Sequence, residues 1–388
     1  MSGSTTAGIS GAWPRSTAPR AVAWQIPDPR RFLQLALAAV WLFDAVLQFQ
    51  PFMFSPAFGH QMIASTAAGN PSVVSHTILW AAREVAAHAP VANAAFCAIQ
   101  LLLALGIAWR PTVKAALAAS VLWSLAVWWM GEGLGDVLTG TASPLTGAPG
   151  AVIIYALLAV LLWPYEGDLH SGDFVAARPI GALPARLLWL ALWGSLAGLA
   201  LQSANRAPDG VSNTIRGMAM GEPHWLGSLD RAAADLVAGR GLGASVVLAV
   251  VLGLIAIGVF GASRVVRVVI GVAIVVASVI WVVGEGFGGV FAGPATDPNS
   301  GAPLILVALA YWPLSTVGAG ARGSAARVAS AGVPGGTGSG GTGSGGTGSG
   351  GTGSGGTGSG GTGSGTGGGG SAGIVVSIGS GASAGGGQ

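Results

Sequence analysis

The chain is poor in cysteine, in lysine and in charge of either sign. Cys97 is the one cysteine in 388 residues. An intrachain disulfide, a thiol–disulfide relay, an Fe–S cluster and a cysteine-based zinc site are therefore excluded. Lys114 is the one lysine, and the arginines are scattered singly, so the net charge of +3 does not point to nucleic acid. No Walker loop, nucleophile elbow, HExxH helix or dinucleotide fingerprint occurs. Charged residues are 8% of the chain, against about 25% in a soluble domain. So few cannot solvate a globular surface of this size.

What is present is apolar. Hydrophobic residues make up 51%, and the mean hydropathy is +0.66. Runs long enough to cross a hydrocarbon core of roughly 30 Å recur. They predict about eight transmembrane helices, near 32–50, 91–109, 113–130, 150–164, 186–203, 243–261, 265–283 and 302–318. The expected class is an all-α integral membrane protein of the plasma membrane, with the lipid bilayer as its first partner. Arg30, Arg31, Arg110, Lys114, Arg178, Arg186, Arg264, Arg267, Arg322 and Arg327 all fall on one side of eight spans. The positive-inside rule then puts both termini in the cytoplasm. Residues 1–30 read as a polar cytoplasmic segment with no separate signal peptide. Residues 165–185 read as a cytoplasmic linker, and 314–388 as a Gly/Ser/Thr-rich tail with too little apolar area to offset its ordering entropy.

One phrase is written twice. Gly131-Glu132-Gly133-Leu134-Gly135 leads through Gly140 to Gly147-Ala148-Pro149, and Gly284-Glu285-Gly286-Phe287-Gly288 leads through Gly293 to Gly301-Ala302-Pro303. Trp128 and Trp281 precede the two copies at the same offset. Residues 31–164 and 186–313 therefore read as two four-span repeats. An even number of spans in each makes them parallel rather than inverted. Each repeat also holds a long outer loop with helical spacing of apolar residues, Val74, Ile78, Ala82 and Val85 in one and Trp225, Leu229, Ala233 and Leu236 in the other. Both loops are expected to form amphipathic helices at the outer face.

Few side chains are equipped for chemistry. Glu132 and Glu285 sit where a span ends, between glycines, and a carboxyl desolvated there suits proton exchange or cation binding. The competing reading is a carboxylate that accepts N–H groups of a tight turn, with Gly131, Gly133, Gly140, Pro149, Gly284, Gly286, Gly293 and Pro303 as turn formers. Asp136 has no acidic counterpart, since Gly289 takes its place. Asp44 lies inside the first span with Gln48 on the same face, whereas the second copy keeps only Gln202. An ionised Asp there costs about 2.5–3.5 kcal/mol on insertion scales, so a partner such as Arg83 or a Trp N–H is expected. Trp128 and Trp129 stand beside Glu132, either as belt residues or as a stacking surface. No histidine lies in mid-span, so haem ligation is not expected, and no metal-ligand spacing appears.

The four-span unit, with its long first outer loop and its Thr139-Gly140, Ser143-Pro144-Leu145 and Ala148-Pro149 turn before the last span, resembles the DoxX/DoxD-like membrane proteins. The whole chain resembles a duplicated, actinobacterial-type relative of them. That resemblance implies an accessory or quinone-interacting subunit of an envelope redox system. Quinone would be its ligand, the catalytic cofactors would lie on a membrane or peripheral redox partner, and the chain would have no autonomous catalytic activity. The acids and glycine-rich turns themselves support a second class, a small-solute or proton-coupled transporter. A structural or assembly protein is the third.

Overall fold

A computed structural model describes residues 28–164 and 174–314. Nearly all of the expected N-terminal segment, the first part of the linker and almost all of the Gly/Ser/Thr tail lie outside the described residues. Within them the chain is helical and contains no strand. Eleven helices have nine residues or more: α1 Pro29–Leu47, α2 Ser72–Ala87, α3 Ala89–Ala108, α4 Val113–Met130, α5 Ala151–Leu161, α6 Ala182–Ala200, α7 Gly210–Met218, α8 His224–Val237, α9 Gly241–Gly258, α10 Ser263–Val279 and α11 Gly301–Ala310.

Local chemistry sets the helix ends. Asp28 accepts a hydrogen bond from the Arg30 N–H, and Pro29 occupies the first turn, where its missing N–H costs nothing. Pro90 does the same for α3. Arg31 then donates to the carbonyl of Ile107 at 2.9 Å and to that of Ala108, which closes the end of α3 with a cation. The start of α1 and the end of α3 therefore share one end of the bundle. Gln34, buried on the next turn of α1, donates to the Leu162 carbonyl just past α5.

Among the described residues, five helical stretches are long and apolar enough to cross a membrane: Ala89–Ala108, Arg110–Met130, Ala182–Ala200, Gly241–Gly258 and Ser263–Gly284. α1 occupies the place of the first expected span. The fourth and eighth expected spans are shorter than the sequence suggests. α5 has 11 residues and α11 has 10, or about 16 Å of helix. Glycine-rich backbone fills what their apolar runs do not reach. α1 packs along α3, α3 along α4 and α4 along α5; α6 packs along α9, α9 along α10 and α10 along α11. α11 also packs on both α5 and α1. One continuous core follows, in which Trp41, Tyr155, Trp189, Trp193 and Tyr311 are almost wholly buried.

The two outer-loop helices behave differently. In α2 the expected stripe of Val74, Ile78, Ala82 and Val85 is buried against Met53, Phe58 and Ile63. In α8 the buried face is Leu226, Asp230 and Ala234, whereas Trp225, Leu229 and Leu236 point outward. Asp230 makes the protein-facing side of α8 partly polar, and the expected apolar residues lie mostly on the exposed face, as in an amphipathic helix at a surface.

Backbone crowding fixes the two glycine turns. Leu134 and Gly135 each have φ of 60°, and Phe287 and Gly288 have φ of 57° and 79°. A Cβ on Gly135 would strike the Pro149 carbonyl, and one on Gly288 would meet the Asp297 carbonyl at 2.6 Å. Gly271, by contrast, sits in α10 with open space around it. Gly288→Ala should therefore lower the melting temperature of the detergent-solubilised protein by many degrees, while Gly271→Ala is tolerated or stabilises slightly. Equal effects in a thermal-shift assay would show that the turn is not held by contact.

Candidate functional site

Each short helix begins in the interior, where its first N–H groups have no water to donate to. The preceding glutamate supplies the acceptor. Glu285 accepts from the Gly301 N–H at 2.9 Å and from the Ser300 hydroxyl. Glu132 accepts from the Val152 N–H at 3.3 Å. The neighbouring tryptophan ties the same turn down, Trp128 to the Pro149 carbonyl at 2.6 Å and Trp281 to the Pro298 carbonyl at 2.7 Å. These bonds correct the register of the repeated phrase. Pro298 stands where Pro149 stands, so Ala148-Pro149-Gly150-Ala151 corresponds to Asp297-Pro298-Asn299-Ser300. Gly301-Ala302-Pro303 instead lies inside the first turn of α11. Asn299 keeps the positive φ of Gly150, 62° against 113°.

That register exposes a difference. Ser300 gives Glu285 a hydroxyl that Ala151 cannot give Glu132. Glu285 is fully buried with both oxygens bonded. One Glu132 oxygen, Oε2, is buried without a hydrogen-bond partner. Glu285 is thus a cap, and Glu132 is a cap with a free acceptor.

Glu132 lines a cavity of about 210 Å³. Its walls are aromatic and aliphatic, with Trp41, Phe58, Phe96, Trp123 and Val127 among them. Its polar lining gathers Asp44, Gln48, Gln100, Glu132 and Asp297. Asp44 is 1% exposed, Gln48 3% and Gln100 8%, and each has a side-chain oxygen with no partner. The Trp123 indole N–H is also unpartnered. Arg83 lies exposed on α2 and does not serve Asp44; the group beside that carboxylate is the Tyr155 hydroxyl. The Trp41 N–H is spent on Ser120 at 3.0 Å.

A second chamber of about 310 Å³ adjoins the first and shares Met62, Gly131, Glu132, Thr296 and Asp297 with it. It is the more polar of the two and adds Asp136, Thr66, Thr146 and Asn299. Asp297 is held by the Thr296 hydroxyl and the Asn299 N–H, both at 2.7 Å. Among the described residues no Arg, Lys or His lines either chamber.

Of the residues expected from sequence, Asp44, Gln48 and Glu132 meet in the apolar cavity, and Asp136 joins the polar one. Trp128 binds the turn. Trp129 donates to Thr77 on the surface, 40% exposed, and takes no part. Gln202 is half-buried elsewhere, with a buried side-chain oxygen that has no partner. Gly131, Gly133, Gly284 and Gly286 are crowded by neighbouring chain, whereas Gly140 and Gly293 meet nothing. Asp297, Gln100, Tyr155 and Trp123 were not foreseen. Gln100 was visible as a lone amide in an apolar run, and Asp297 as the acid beside a proline before the last run. Among the described residues no group of three His, Cys, Asp or Glu is placed to hold a metal ion. Comparison of the chain with family models, curated proteins and solved structures finds no match.

Burial pushes the Glu132 carboxyl up to about 8, helped by the charge of Asp297 and opposed by the Val152 and Ala151 N–H groups. Burial likewise raises Glu285 to about 7, held down by Ser300 and Gly301. Both acids bind a proton more tightly folded than unfolded. Their contribution to stability is therefore greatest below the ordinary value of 4.5 and falls as pH rises through about 7 and about 8. Glu132→Gln should flatten the upper part of that fall and raise the melting temperature at pH 9 relative to wild type. Ser300→Ala should cost about 1–3 kcal/mol, the loss of a hydrogen bond to a buried charge. Melting curves between pH 5 and 9 check both; an unchanged profile in Glu132→Gln would mean that this carboxyl is already ionised at neutral pH.

Proposed function

We propose that the protein is a multi-pass membrane protein that binds a small solute from the outer side and exchanges it for a proton at Glu132. One observation carries this reading: Asp44, Gln48, Gln100 and Glu132, each with a buried side-chain oxygen that has no partner, all line one apolar cavity. Such acceptors are costly when empty and are satisfied by a ligand that brings hydrogen-bond donors. A carboxyl raised to about 8 is neutral at pH 7 and can release its proton when the donor arrives. The polar chamber beside it supplies a wet approach.

In the same reading the eight helices α1, α3, α4, α5, α6, α9, α10 and α11 form two parallel four-helix units. The arginine-bearing segments face the cytoplasm, as do both termini, and α2, α7 and α8 lie at the outer face. The matched turns and the same order of packing in residues 29–161 and 182–310 support the repeat. The short, capped α5 and α11 are the discontinuous segments that many transporter sites are built from.

A quinone-interacting accessory subunit, which the DoxX/DoxD-like resemblance implies, is the second reading. The aromatic walls and the unpartnered Trp123 N–H favour it, since a quinone ring brings a carbonyl acceptor. Proteoliposomes loaded with a pH-sensitive dye separate the two. A panel of cationic, neutral and anionic small solutes, with a short-chain quinone, is added outside. At least one solute should drive proton efflux from wild type, and Glu132→Gln should abolish it while Glu285→Gln retains it if folded. No efflux with any solute, together with quinone extracted from the purified protein, would replace solute exchange by the quinone reading.

A further inference from the structure

The charge balance of the two chambers names the class of solute. Between them they are lined, among the described residues, by four carboxyls, Asp44, Glu132, Asp136 and Asp297, and by no basic side chain. An uncompensated set of acids in a low-dielectric wall draws in a positive charge and repels an anion. The apolar cavity adds the other half of the recognition. Trp41, Phe58, Phe96 and Trp123 line it, with the Phe96 and Trp123 ring centroids 5.7 Å apart, and aromatic rings attract a cation as well as an apolar body. Asp44, Gln48 and Gln100 are each more than nine-tenths buried, line that cavity and have an oxygen without a partner. Ammonium hydrogens fit acceptors of this kind.

We propose that the joined chambers bind an amphipathic organic cation, a primary or secondary ammonium on an aryl or alkyl body, with its charged head among Asp44, Glu132 and Asp297 and its body against the aromatic wall. The inference rests on the reading of this pocket as a solute site, but not on that solute being moved across the membrane. Asp297 acts here as a specificity residue. It comes from the loop before α11, whereas most of the other lining residues come from α1, α2, α3 and α4, so the cation site is completed only when both parts of the chain are present.

A cavity of about 210 Å³ accommodates a ring with a two-carbon arm. The probes are therefore phenethylamine and 2-phenylethanol, equal in shape and differing in charge. Binding to the full chain in detergent at pH 7 is read by tryptophan fluorescence and by calorimetry in two buffers of different ionisation enthalpy. Phenethylamine is expected to bind at least tenfold more tightly than the alcohol, with up to one proton released per amine bound. Asp297→Asn, whose amide can keep the Asn299 N–H contact, should weaken the amine at least tenfold and leave the alcohol unchanged; Asp44→Asn is a second variant with the same expectation. Equal affinity for the two probes, tighter binding of a short-chain quinone, or equal loss of both probes in both variants would overturn the assignment. Amine binding without proton efflux in liposomes would sink solute exchange and leave the cation site standing. Efflux driven only by neutral or anionic solutes through Glu132 would do the reverse.

Discussion

A helix that starts inside a protein needs an acceptor for its first N–H groups, and much of this architecture follows from how that need is met. α5 and α11 begin in the interior, and a glutamate at the end of the preceding long helix reaches across to hold each start. The carboxylate must arrive on a backbone that turns sharply, so glycine surrounds it. The turn must then be tied back, and a tryptophan on the last turn of the long helix donates to the proline carbonyl. The dipole of the short helix favours a negative group at that point, while burial disfavours it. The raised values of Glu132 and Glu285 express that opposition.

The two caps part at one atom. Ser300 completes the hydrogen bonding of Glu285, and Ala151 leaves Glu132 with an oxygen to spare. Around Glu285 the space is closed. Around Glu132 a cavity opens whose other polar members, Asp44, Gln48 and Gln100, sit on α1, just past its end, and on α3. A small difference at corresponding positions thus separates a fully bonded acid from one with an oxygen left unpartnered.

How much of this could be read from the chain depends on what kind of contact was at stake. Helix positions were legible because apolar runs and prolines are local signals: α1, α3, α4, α6, α9 and α10 fall where the runs are. The lengths of α5 and α11 were not, since an apolar run does not say how much of it is helix and how much is a glycine turn packed inside. Glu132, Asp44 and Gln48 were legible as polar residues at apolar positions, but their meeting depends on how α1 and α4 pack. Asp297 was hidden by a false register: Gly-Ala-Pro recurs in letters at 301–303, while the hydrogen bonds place Asp-Pro at that point. The apolar face of α8 was legible from its spacing, but that its opposite face, with Asp230, packs against the protein was not.

The origin of Asp297 bears on how such a chain could have arisen. In the register set by the tryptophan–proline bonds, Ala148 is its counterpart. A symmetric pair of first halves would present two alanines at this place and no third acid. Asp297 reaches the pocket from the segment before α11, whereas Asp44, Glu132 and Asp136 come from the part of the chain that ends before α5, so the four acids meet only in the folded whole.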